Sequence, residues 1–134
     1  MQIGADMLPL DVLRPHEKVR ERNVRNSLHI HVRWGSVRRR IVVEHQHGVV
    51  LDGHHRLAVA RRLGLMQVPV LVVDAATLPA VWRASSVALD PSLVVEAALS
   101  GSLMPPKTTM HDVTGLDVTC EVPLDKLRHP AGSM

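Results

Sequence analysis

The chain has no phenylalanine and no tyrosine, and its 134 residues include only two tryptophans, Trp34 and Trp82. With so few rings it cannot read splayed-out bases by stacking, which excludes RNA-binding modules that depend on several exposed aromatics. The interior must then be built from Val, Leu, Ile, Ala and Met. Cysteine is almost missing as well, since Cys120 stands alone. No intramolecular disulfide, zinc ribbon or Cys-x-x-Cys redox pair is open to it, and a reducing, cytoplasmic setting is expected. No stretch approaches the ~18 apolar residues of a membrane-crossing helix, and the first ten residues lack a basic start followed by a long apolar run. The expectation is therefore no membrane and no export.

What is present fits ordinary globular usage: 46% of residues are hydrophobic and 22% charged, enough to fold and of a length that supports a single core. The formal charge of +3 reflects local clusters, first Arg20, Arg22 and Arg25, then Arg33, Arg38, Arg39 and Arg40. Such clusters suit an anionic partner, nucleic acid or a phosphorylated small molecule, without choosing between them.

Periodicity gives the elements. Residues 7–13 alternate loosely and read as an edge strand running into a turn at Arg14-Pro15. Val19, Val24, Leu28 and Val32 recur every four or five residues and predict a helix over 16–33, stopped by Gly35. Two short strands, 41–43 and 49–51, flank the polar turn 44–48. Leu57, Val59, Ala60, Leu63 and Leu65 predict a helix from near Gly53 to Gly64, and 68–73 reads as a buried strand. Further on, 80–83 predicts a short strand. Asp90-Pro91 opens a helix that Gly101 stops, with Leu93, Val94, Ala97 and Ala98 as its apolar stripe. Pro105 and Pro106 then forbid helix and leave an extended segment. The fold class is α+β in a single domain, with a core over about 7–75 and a second segment over about 80–125.

The stretch Val49-Val-Leu-Asp52-Gly53-His54-His55-Arg56 carries the most chemistry. A buried strand runs straight into a helix, and the unpaired amides and partial positive charge of a helix N-terminus make an anion seat. Arg56, able to bind phosphate with a two-pronged fork, makes phosphate the favoured anion. Asp52 could either cap the helix or hold a divalent cation.

This motif, followed by Leu63-Gly64 and Val68-Pro69-Val70, resembles the nucleotide-binding core of the ParB/sulfiredoxin-like superfamily. ParB segregation proteins carry Gly-Glu-His-Arg there and sulfiredoxins Gly-Cys-His-Arg; His54 fills the variable position here. The Asp-Gly-His-His-Arg form is similar to that of the free serine kinases of the same fold, which phosphorylate L-serine to O-phospho-L-serine with a nucleotide. Leu13-Arg14-Pro15-His16-Glu17, Val81-Trp82-Arg83 and Pro105-Pro106-Lys107-Thr108-Thr109-Met110-His111 agree with that branch in order.

The resemblance implies a mixed sheet with helices, ATP or ADP as phosphoryl donor, Mg²⁺, and Glu17 as general base on the serine hydroxyl. It further implies Gly53, His54, His55 and Arg56 as the phosphate-binding turn, and Asp52 beside the transferred phosphate and its metal. Trp82, Lys107, Thr109 and His111 then hold the amino acid. Along an extended segment Lys107, Thr109 and His111 point to one side, and Thr108 and Met110 to the other. Two positions depart from the family pattern: Met110 replaces a common Arg, and Arg40 a common Pro.

The alternative is a ParB-like DNA-associated or regulatory module without kinase activity, supported by the arginine clusters. Nucleic acid is the less expected partner, because only about sixty residues follow Val73 and they leave no room for a helix-turn-helix domain. Sulfiredoxin activity is disfavoured, with Cys120 far from the phosphate turn. His29, His31, His45, His47 and His129 lack helical zinc-pair spacing and read as surface residues. A homodimer is compatible with so small a domain.

Overall fold

The computed structural model describes residues 1–130. Its centre is a four-stranded sheet in the order β1-β5-β3-β4. β5 (Gln67–Val73) is the apolar run expected as a buried strand. It pairs antiparallel with β1 (Gly4–Pro9) and parallel with β3 (Ile41–Glu44). β4 (Val50–Asp52) returns antiparallel beside β3 after the polar turn. That turn is organised by Glu44, a buried carboxylate that accepts the amides of Gln46, His47 and Val49.

Helix α1 spans Glu21–Trp34, and Gly35 ends it with a φ of +67°. It begins five residues later than the expected start at 16. The backbone of His16 and Lys18 is instead paired with Met104, so this stretch is extended. Val32 is exposed, and His31 takes the inward position beside Val24; its Nδ1–H donates to the Ser27 carbonyl at 2.7 Å. His31 is therefore a core residue, contrary to its expected surface role. Helix α2 (His54–Arg62) leaves β4 and returns to β5 as expected.

The strand β2 (Ser36–Arg39), which periodicity did not reveal, pairs antiparallel with β8 (Thr119–Pro123). The following short helix α4 (Leu124–Leu127) puts Leu124 and Leu127 into the main core with Val43, Leu57, Val68 and Val70. The core is thus not confined to 7–75, because the chain's end closes it. A second apolar cluster joins Val42, Val49, Leu51 and Leu78 to Val94 of helix α3 (Pro91–Ser100). Asp90 caps α3 through the Ser92 amide, as its sequence predicts, and Val94 and Ala98 pack inward as expected, but Leu93 is exposed and Val95 takes an inward place instead.

Among the described residues no methionine is fully buried; Val, Leu, Ile and Ala build the core. β6 (Ala80–Trp82) and β7 (Thr109–His111) form a two-stranded antiparallel ribbon. Among the described residues, no helix is long and apolar enough to cross a membrane.

Candidate active site

Three chain segments meet at the carboxyl end of β4. The first is the β4–α2 turn. Gly53 is the N-cap of α2, with φ +112°, and no side chain caps the helix. A Cβ at this position would lie 2.8 Å from Nη2 of Arg56 and 3.2 Å from Ile41 Cγ1. Glycine is thus required by the backbone conformation, and any side chain here would also have to displace the Arg56 guanidinium. Asp52 does not cap the helix. Its Oδ2 accepts from Arg56 Nη2 at 3.1 Å, with Arg39 at 3.9 Å. The first-turn amides of α2 are left without a side-chain partner, the arrangement that favours an anion.

The second segment, 14–20, runs alongside β4. Arg14 bonds the turn and the start of β4, its N–H donating to Gly48 O and its carbonyl accepting from Val50 N–H, both 2.8 Å. The segment is then held by two histidines of the helix. Nε2 of His54 accepts the amides of His16 (3.1 Å) and Glu17 (3.3 Å), and Nε2 of His55 accepts the Arg20 amide at 3.1 Å. An imidazole nitrogen that accepts an N–H is unprotonated, so both rings are neutral acceptors. Burial, reinforced by the neighbouring His16, pushes His54 down to about 3. Burial and then Lys107 lower His55. Both side chains border the cleft, and their rings anchor the backbone of the 16–20 stretch.

The third segment is 104–111. Glu17 is buried, and this strap encloses its carboxylate: Oε1 accepts the Lys107 amide at 3.0 Å, and Oε2 accepts the Thr109 amide at 2.9 Å and the Thr109 hydroxyl. Burial would raise its pKa, but the hydrogen bonds from His16 and Thr109 outweigh that and hold it down to about 2. Glu17 is therefore an ionised carboxylate whose Oε1 keeps a lone pair. The Thr109 hydroxyl donates its hydrogen to this carboxylate.

The cleft between these segments has a volume of about 200 Å³ and gathers Glu17, Asp52, Arg56, Lys107 and His111. His111 is neutral, lowered to about 4 mainly by burial and then by His16, and its buried Nδ1 has no protein partner. Lys107 has φ +56°, which breaks the strict alternation of the strap. Met110 also borders the cleft, with its sulfur 3.9 Å from Nη1 of Arg83.

Trp82 does not border the cleft and packs against the second apolar cluster. Arg83, one residue on, takes its place, with Nη2 donating to the Thr109 carbonyl at 3.3 Å. Strand alternation is the signal that could have found Arg83, because an inward Trp82 turns its neighbour to the other side. The described residues hold no cluster of three or more His, Cys, Asp or Glu side chains able to bind a metal. Asp52, about one-third exposed, is the one cleft carboxylate not enclosed by amides.

No protein-family model matches the sequence, and no curated protein does. Solved structures do match. A free serine kinase in complex with AMP superposes with a TM-score of 0.76 at 13% identity, covering 95% of each chain. A glutamate-to-alanine variant of a free serine kinase, in complex with ADP, gives 0.77 at 13% identity and the same coverage. SbnI from Staphylococcus aureus, with a C-terminal truncation, gives 0.79 at 14% identity, over 94% of this chain and 90% of that one. The chain thus has the fold of the free serine kinases over nearly its whole length.

Proposed function

We propose that this chain is a nucleotide-dependent kinase that transfers a phosphoryl group to the hydroxyl of free L-serine, giving O-phospho-L-serine, with ATP or ADP as donor. The observation that carries the reading is Glu17. It is an ionised carboxylate with one uncommitted lone pair, and it shares a cleft with the uncapped N-terminus of α2. Solved proteins of this fold are described as free serine kinases in complex with AMP or ADP.

In this mechanism the donor phosphates lie on the first-turn amides of α2, with Arg56 turned toward them. Lys107 and Arg83 attract the serine carboxylate, and His111 Nδ1 is left to meet a polar group of the amino acid. Glu17 Oε1 orients the serine hydroxyl and takes its proton as the serine oxygen bonds to phosphorus and the donor's bridging oxygen departs. A base of such low pKa suits this reaction, because phosphoryl transfer is mostly positioning and charge neutralisation. Mg²⁺ binds through one or two carboxylates plus phosphate oxygens, so Asp52 with the nucleotide fits it, and the ion would neutralise phosphate charge.

Three of the arginines that motivated the DNA-binding alternative are engaged within the fold. Arg38 stacks over Trp34 at 4.6 Å, Arg40 donates to the carbonyls of Asp117 and Thr119, and Arg39 faces Asp52. The test is a panel of free amino acids with ATP or ADP and Mg²⁺, followed by phosphorus NMR. A phosphomonoester signal with serine supports the reading; no phosphorylated amino acid with either nucleotide overturns it.

A further inference from the structure

The three consecutive arginines at 38–40 have different surroundings. Arg38 lies over the Trp34 ring, and Arg40 spends Nη1 on the carbonyls of Asp117 and Thr119. Arg39 is less committed. Among the described residues its guanidinium makes no hydrogen bond, and its ion pair with Asp52 Oδ2 spans 3.9 Å. That is too long for a hydrogen bond, and the same oxygen already accepts from Arg56 Nη2 at 3.1 Å. The Arg39 side chain is 47% exposed. A planar fork of N–H donors therefore stands beside the cleft's Asp52 with no protein acceptor.

Its position is set by the backbone. Ser36 and Val37 of β2 pair with Pro123 and Val122 of β8, but the register then shifts, and Arg39 pairs with Thr119. A bulge of this kind re-aims the side chain beside it. Arg39 is thereby brought to Asp52, at the turn that opens α2. Two guanidinium groups bracket one carboxylate, which leaves an excess of positive charge next to the uncapped helix N-terminus.

We infer that Arg39 binds the distal phosphate of the donor nucleotide, the one beyond the phosphate seated on the first-turn amides of α2, and so selects nucleoside diphosphates over monophosphates. Arg56 is fixed close to the turn: Asp52 and, at 3.5 Å, the Arg40 carbonyl hold its guanidinium where a side chain at Gly53 would lie. It serves the nearer phosphate. Arg39 is held by charge alone, and leaving Asp52 costs it little, because an ion pair so exposed contributes little. In exchange it gains charge-assisted, two-pronged hydrogen bonds to phosphate oxygens, which are among the stronger polar contacts. A monophosphate on the α2 amides leaves Arg39 unused.

This inference rests on the proposed donor site, but its test reads binding without serine and so is independent of whether serine is phosphorylated. AMP and ADP are titrated by calorimetry into the wild-type chain, Arg39→Gln and Arg38→Gln. The salt is held at about 0.15 M, where exposed charges more than ~8 Å apart are largely screened. The wild type is expected to bind ADP more tightly than AMP. In Arg39→Gln the ADP affinity should fall about tenfold, the low end for a lost charged contact because the residue is half-exposed. AMP affinity, which also reports on folding, should stay within about twofold, and Arg38→Gln should leave both nucleotides unchanged. Loss of the ADP preference in Arg39→Gln alone supports the proposal even in a chain that phosphorylates no amino acid. A wild type that binds ADP no tighter than AMP overturns it. So does an Arg39→Gln chain that loses both nucleotides equally or neither, or an Arg38→Gln chain that loses ADP by the same factor.

Discussion

The two halves of the cleft are built in opposite ways. The phosphate half is contiguous: thirteen residues from Asp52 to Gly64 leave a strand, turn on one glycine and wind into α2, and each chemical group lies next to another in sequence. The acceptor half is assembled across about ninety residues. Glu17 takes its hydrogen bonds from Lys107 and Thr109, and its backbone is pinned by His54. A contiguous site tolerates loss of distant parts, whereas an assembled one depends on every segment that holds it. Substitutions in the acceptor half should therefore damage turnover, and those in the turn should damage nucleotide affinity.

The largest expected effect is on Glu17. Glu17→Gln keeps the shape but removes the charge that accepts the proton, and kcat should fall by roughly 10²-fold or more. AMP affinity, measured by calorimetry, should stay within about twofold. Unchanged turnover removes Glu17 from the chemistry.

Next comes Gly53→Ala. The new Cβ meets the Arg56 guanidinium at 2.8 Å on a backbone at φ +112°, a conformation costing roughly 1–3 kcal/mol for other residues. Nucleotide affinity should fall about tenfold. An alanine variant with wild-type affinity would show that the turn does not seat the phosphates.

A smaller effect concerns acid stability and sharpens the role of the histidine anchors. His54 and His111 stay neutral in the fold down to about pH 3 and about pH 4, against an ordinary 6.5. Below pH 6.5 the unfolded chain binds protons that the folded chain refuses, so stability is full above 6.5 and declines as pH falls toward those values. Glu17 contributes stability above its ordinary 4.5, lost as pH falls through about 2. Denaturant midpoints between pH 7.5 and 4.5 should drop, and less so in His54→Asn. A flat midpoint would mean that the histidines are not held neutral.

The same comparison explains what the sequence made legible. The β4–α2 turn was readable because its chemistry is local: an apolar strand, a glycine and a basic first turn follow one another, and the helix Asp90–Gly101 was marked by its own caps. The acceptor half was readable only in part. Glu17 and the 107–111 strap stood out as a motif, but nothing local says that Thr109 serves Glu17 or that His54 and His55 turn their rings to backbone amides. Those roles arise from pairings far apart in sequence. The strand 36–39 escaped notice because its partner lies some eighty residues later, and periodicity sees only one strand at a time. His31 and Val32 exchanged their expected places because a histidine that bonds its own helix backbone can be buried at little cost. Arg83 was overshadowed by its larger neighbour Trp82.

The division of labour between the two halves is tested most directly by steady-state kinetics of Arg56→Ala and Lys107→Asn, with nucleotide and serine varied separately. Asn tolerates the left-handed backbone at 107, so the substitution removes the charge and keeps the amide that Glu17 accepts. A lost charged contact of ~1.5–3 kcal/mol corresponds to a rise of roughly 10- to 100-fold in the relevant constant. The account predicts that Arg56→Ala raises the constant for nucleotide alone and Lys107→Asn that for serine alone. If Lys107→Asn instead raises the nucleotide constant and leaves serine unchanged, the strap belongs to the nucleotide and the division is wrong.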